Sequence, residues 1–138
     1  MDPIIAKLRK ELAENIDPRT KETSQRFFKE QIHSYGVKVP IVHKLSRELF
    51  KEIQHQPKTT IFSFCDTLWQ SSIIEESFVA CNWSYFIRKL YEPGDFEVFE
   101  KWIATYVNNW ASCDTLCNHT VGSFLEMYPE YVSRLREF

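Results

Sequence analysis

Trp110 and Asp114 stand four residues apart in the run Asn108-Asn109-Trp110-Ala111-Ser112-Cys113-Asp114-Thr115-Leu116-Cys117. On a helix that spacing brings both side chains to one face. An aromatic face beside a carboxylate stabilises a cation: the ring acts through its quadrupole, the carboxylate through its charge. The same residue types also serve structure. A tryptophan can be core, and an aspartate in a first helical turn satisfies orphan N–H groups and the helix dipole. Residue type alone leaves both roles open.

A second constellation is basic. Lys44, Arg47 and Lys51 recur at i, i+3 and i+7, with Lys38 just before them, Arg26 and Lys29 further upstream, and His43 among them. Such a stripe can follow a phosphate backbone, and it can equally be the solvated face of an amphipathic helix. Arg88 and Lys89 are too isolated to extend it. Cys113, Cys117 and His119 raise zinc, but a closed site wants a fourth ligand and usually a tighter cysteine pair. The expectation is no metal and no cofactor. His33, His43, His55 and His119 have no serine or cysteine at a recognisable triad spacing, and no glycine-rich phosphate loop is present.

The elements that must position these residues read as helices. Asp2-Pro3 and Asp17-Pro18 are start signals, a capping residue followed by proline at the first helical position. Ile4, Ile5, Leu8, Leu12 and Ile16 recur at helical spacing, and Phe27, Phe28, Ile32 and Tyr35 stripe a second helix. Gly36 is expected as a left-handed cap, with Pro40 opening a third helix that runs to Ile53. Pro57 breaks the chain before a short helix carrying Ile61, Phe62, Cys65, Leu68 and Trp69. A fifth helix is expected over 72–91, with Ile74, Phe78, Cys81, Tyr85 and Phe86 inward. Glu92-Pro93-Gly94-Asp95 stops and restarts the chain. A sixth helix carries Phe96, Phe99, Ile103, Tyr106, Val107 and Trp110. Another covers 112–127, and a last one begins at Pro129. No stretch alternates with period two, so no strand is expected. Helix pairs recurring at roughly 35–40 residues suit a solenoid of antiparallel pairs or a compact bundle.

Composition agrees. The chain has 138 residues, 43% hydrophobic and 15% aromatic, which is too apolar for a disordered segment. Three glycines are too few for an all-β fold with its frequent tight turns. No apolar run approaches the roughly 20 residues of a membrane span, and charge arrives too early for a signal peptide. A cytoplasmic protein with reduced cysteines and no membrane partner is therefore expected. The net charge is −2, but residues 1–60 carry 12 Lys/Arg against 8 Asp/Glu, and residues 61–138 carry 5 against 11. A polyanion would meet the N-terminal half.

Three stretches, in order, resemble the AlkD-type DNA alkylation repair family. They are Ser34-Tyr35-Gly36-Val37-Lys38-Val39-Pro40, then Leu68-Trp69-Gln70-Ser71 with the helix from Glu75, then Val107-Asn108-Asn109-Trp110 with Asp114. The resemblance implies an all-α fold, HEAT-like antiparallel helix pairs wound into an α-α superhelix. It implies a glycosylase that hydrolyses the N-glycosidic bond of N3- and N7-alkylated purines in duplex DNA. Asp114 then matches the catalytic aspartate and Trp110 a tryptophan that contacts the lesion's deoxyribose. Phe27 falls where the family has an active-site aromatic, often tyrosine. Arg26, Lys29, Lys38, Lys44 and Arg47 are expected on the DNA backbone. His43 departs from a commonly found arginine, and Ala111 from a frequent acidic residue.

The family continues for several helices and takes an arginine and a second tryptophan from them. The expectation is one helical-repeat domain over 1–138, truncated at its C-terminus, weak or inactive by itself although the intact protein is an enzyme. The alternative is a non-catalytic helical-repeat module that binds DNA or protein.

Overall fold

A computed structural model describes residues 2–27, 34–106 and 120–135, with side chains placed outside 23–27 and 134–135. The fold is all-α, and no β-strand occurs among the described residues. The helices are α1 (Pro3–Glu14), α2 (Pro18–Phe27), α3 (Val39–Ile53), α4 (Lys58–Gln70), α5 (Ile74–Phe86), α6 (Phe96–Thr105), α7 (Gly122–Met127) and α8 (Val132–Leu135). Short 3-10 turns at Arg88–Leu90, Pro93–Asp95 and Pro129–Tyr131 join the later ones.

The start signals act in different ways. Pro3 opens α1, but Asp2 makes no side-chain cap bond. Asp17 does cap α2: its Oδ1 accepts from the backbone N–H of Arg19 (2.9 Å) and Thr20 (3.3 Å). Helix α1 stops at Glu14, so Ile16 falls outside the stripe and is exposed. The fifth helix is shorter than the expected 72–91, because it tightens into the 3-10 turn after Phe86. The sixth ends at Thr105 and not near Trp110. Val107 and Trp110 lie outside the described residues, as do 112–119 of the next expected helix.

Helix α5 is the hub. It packs against α4 on one side and α3 on another, and α3 in turn packs on α1. The three-residue link Ser71–Ile73 folds α5 back along α4, with Ser72 taking φ 59° and Ser71 Oγ accepting from Ile73 N–H at 3.2 Å. Almost every turn of α5 is buried, polar residues included: Glu75, Glu76, Ser77, Asn82 and Ser84 join Val79, Ala80, Cys81 and Trp83. A helix walled on several sides has no single apolar stripe, so the periodicity of its sequence understates its burial. Beyond α5, aromatic rings hold α4, α6 and α7 together. Phe99 lies 5.9 Å from Phe62, 5.3 Å from Tyr91 and 5.6 Å from Phe124, ring centroid to ring centroid. Edge-to-face pairs of this kind add about 0.5–1.5 kcal/mol each to the burial of their area.

Candidate nucleic-acid interface

The solvent side of α3 sorts its charges. Val42, Leu45, Ser46, Leu49 and Ile53 are buried. Lys44, Arg47 and Lys51 lie together on one exposed edge, and Glu48 and Glu52 on the other. Glu52 is engaged by α1, its Oε2 2.7 Å from Lys7 Nζ. Lys44, Arg47 and Lys51 have no hydrogen bond or ion pair with any described residue. Lys38 differs, standing 3.4 Å from Asp17 Oδ2. Arg26 and Phe27 lie in α2, where the backbone alone is described. Lys29, Trp110 and Asp114 lie outside the described residues.

Where α3 meets α5, polar groups fix one another. Ser46 Oγ donates to Val42 O at 2.8 Å and accepts from Asn82 Nδ2 at 3.1 Å. The other Asn82 N–H reaches His43 Nδ1 at 2.8 Å. With Nδ1 accepting, a neutral His43 carries its proton on Nε2. Trp83 Nε1 donates to Ser46 O at 3.0 Å, which locks the same turn from below.

The loop 34–38 is held by two adjacent carboxylates at the start of α5. Glu75 Oε2 accepts from Ser34 Oγ (2.8 Å), Gly36 N (2.9 Å) and Val37 N (3.0 Å), and Oε1 accepts from Tyr35 N (3.0 Å). Glu76 Oε1 accepts from Arg9 Nε and Nη2, and Oε2 accepts from the Tyr35 hydroxyl at 2.8 Å. Both carboxylates are buried and sit in the first helical turn, where the dipole favours negative charge. Gly36 has φ +83°, and a Cβ there would come within 2.6 Å of Lys21 Cα. The expected left-handed glycine is present, and its service is to let the loop pass α2.

Burial pushes the Tyr35 phenol well above the usual tyrosine range, and its hydrogen bond to Glu76 adds to the rise. A raised folded value means that the fold favours the neutral phenol. That stability is present in full below the unfolded value near pH 10 and is lost as pH climbs beyond it. Tyr91 is shifted the same way, chiefly by burial. Thermal melts should therefore fall above about pH 10, and Tyr35→Phe should make that fall shallower. An identical alkaline slope in the variant would refute the Tyr35–Glu76 contribution.

On the far side of α5, Thr120 is buried. Its Oγ1 lies 2.9 Å from Ser84 Oγ and donates to Cys81 O at 3.2 Å. Thr120 thus ties the chain before α7 to α5. A family model described as "DNA alkylation repair enzyme" matches residues 8–138. The chain belongs to the DNA alkylation repair enzyme family.

No curated protein and no solved structure matches the chain. In this family member, Glu75 physically joins two of the stretches that carried the sequence resemblance, since its carboxylate closes the Ser34–Val37 turn. Sequence reasoning missed that role, and it missed Glu76, Asn82 and Ser46. The available signal was a pair of acids, Glu75-Glu76, set inside an otherwise apolar run. Among the described residues no helix is long and apolar enough to cross a membrane, and no group of three or more His, Cys, Asp or Glu could hold a metal ion. Cys65 and Cys81 are buried.

Proposed function

We propose that the protein is a DNA glycosylase that hydrolyses the N-glycosidic bond of N3- and N7-alkylated purines in duplex DNA. The observation that carries this reading is the family match over 8–138, a span that includes Trp110 and Asp114. An alkylated purine is already cationic, so its glycosidic bond is weakened and the sugar gains oxocarbenium character as it breaks. A carboxylate beside the sugar stabilises that charge and orients water, as in glycosidases. Asp114 takes that role and Trp110 packs on the deoxyribose, with Phe27 the further aromatic of the site. Lys44 and Arg47, exposed and unneutralised by described residues, contact backbone phosphates, with Arg26, Lys29 and Lys38 extending the track.

The test is release of 7-methylguanine from alkylated duplex by the full gene product, with duplex affinity measured between about 50 and 200 mM salt. Release together with a steep loss of affinity is expected. No release and a flat affinity would replace this reading with a non-catalytic helical scaffold.

A further inference from the structure

Beyond α5 the chain carries two cations that the α3 track does not use. Arg88 and Lys89 line a cleft of about 430 Å³ with Tyr85, Ser123, Glu126 and Met127. Arg88 is ordered before any ligand arrives. Its Cζ stacks 4.3 Å above the Tyr85 ring, and its Nη1 donates to Tyr85 O at 3.3 Å. A guanidinium has five N–H donors, so most of them stay available. Neither Arg88 nor Lys89 has an ion pair with any described residue, although Glu126 stands on the opposite wall.

We infer that this cleft binds a backbone phosphodiester of DNA, an inference that rests on the DNA-binding reading above. Three observations support it. The Arg88 fork is pre-ordered, which lowers the cost of binding an oxyanion. The cleft is larger than a lone phosphate and suits a phosphate with its flanking sugars. Its formal charge is +1, from Arg88 and Lys89 against Glu126. A net positive cleft attracts the negative charge of a diester.

The placement also suits a continuous strand. Asn82, on α5, touches His43 at the border of the basic edge of α3, and Arg88 opens the 3-10 turn that follows α5.

The experiment is anisotropy of a labelled unmodified duplex over a salt series, with the wild type, Lys89→Gln and the Arg88→Gln/Lys89→Gln double variant. Loss of this one phosphate contact should flatten the slope of log affinity against log salt by about 0.9 in the double variant, and by less in Lys89→Gln alone. Lys89 is exposed, so its single variant should keep the wild-type melting temperature. Unchanged slopes in folded variants overturn the inference, and a flattened slope in a Lys44→Gln/Arg47→Gln control would then leave the DNA-binding reading standing. A wild type with no salt slope overturns both. Saturable binding of inorganic phosphate that disappears in the variants, with duplex slopes unchanged, assigns the cleft to free phosphate and also overturns the DNA contact.

Discussion

Asp114→Asn is expected to reduce excision of 7-methylguanine by at least about 100-fold while leaving duplex affinity within about twofold of wild type, the order of loss seen when one preorganised electrostatic group is removed from a site. On the proposed function, the carboxylate acts on charge that develops only as the glycosidic bond breaks. Removing it should therefore lower the single-turnover rate and spare binding. Asparagine has the same shape and keeps an acceptor oxygen, so packing is preserved and the missing charge is isolated. The measurement is single-turnover release by the full gene product, paired with duplex affinity at one salt concentration. Equal rates for variant and wild type would remove Asp114 from the chemistry. Parallel loss of rate and affinity would make it a binding or folding residue instead.

Glu75→Ala is expected to unfold the protein or to cost about 3–5 kcal/mol, the cost of stripping the partner from a buried, charge-assisted network. Ser34 Oγ and the N–H groups of Tyr35 and Val37 lose their acceptor at once, and the Gly36 N–H keeps only Ser34 Oγ at 3.0 Å. Each unsatisfied buried donor costs about 1–3 kcal/mol, and a domain has only about 5–15 kcal/mol in hand. Gly36 and Val37 are buried, so water replaces the acceptor poorly at their N–H groups. Glu75→Gln should be milder, because it keeps one acceptor oxygen and turns the other into a donor facing a donor. Chemical denaturation with a melting curve for each variant decides the matter. A Glu75→Ala protein as stable as wild type would mean that the loop 34–38 holds its shape without the carboxylate.

The two residues behave differently as objects of inference. Asp114 and Trp110 were legible as chemistry from their spacing, and the family match spans them, while their geometry lies outside the described residues. Glu75 was legible only as a residue inside a motif. Nothing local distinguishes it from an exposed acid in a first helical turn. Its role depends on a loop some 40 residues upstream folding back over the N-terminus of α5.

The helices themselves came from local rules. Prolines at 3, 18, 40 and 57 fall at or next to helix starts, and Gly36 takes its positive φ, because proline and glycine constrain the backbone wherever they stand. The apolar faces of α1, α3 and α4 followed their 3.6-residue stripes, since each buries one side. The all-α class and the charge sorting along α3 were thus properties of the sequence. Three things were decided by tertiary structure: the burial of Glu75, Glu76, Asn82 and Ser84 on α5, the pairing of Asn82 with His43, and the cleft between Arg88 and α7. Each depends on contacts between residues far apart in the chain. A polar side chain in a helix reads as exposed until a second element arrives to satisfy its hydrogen bonds.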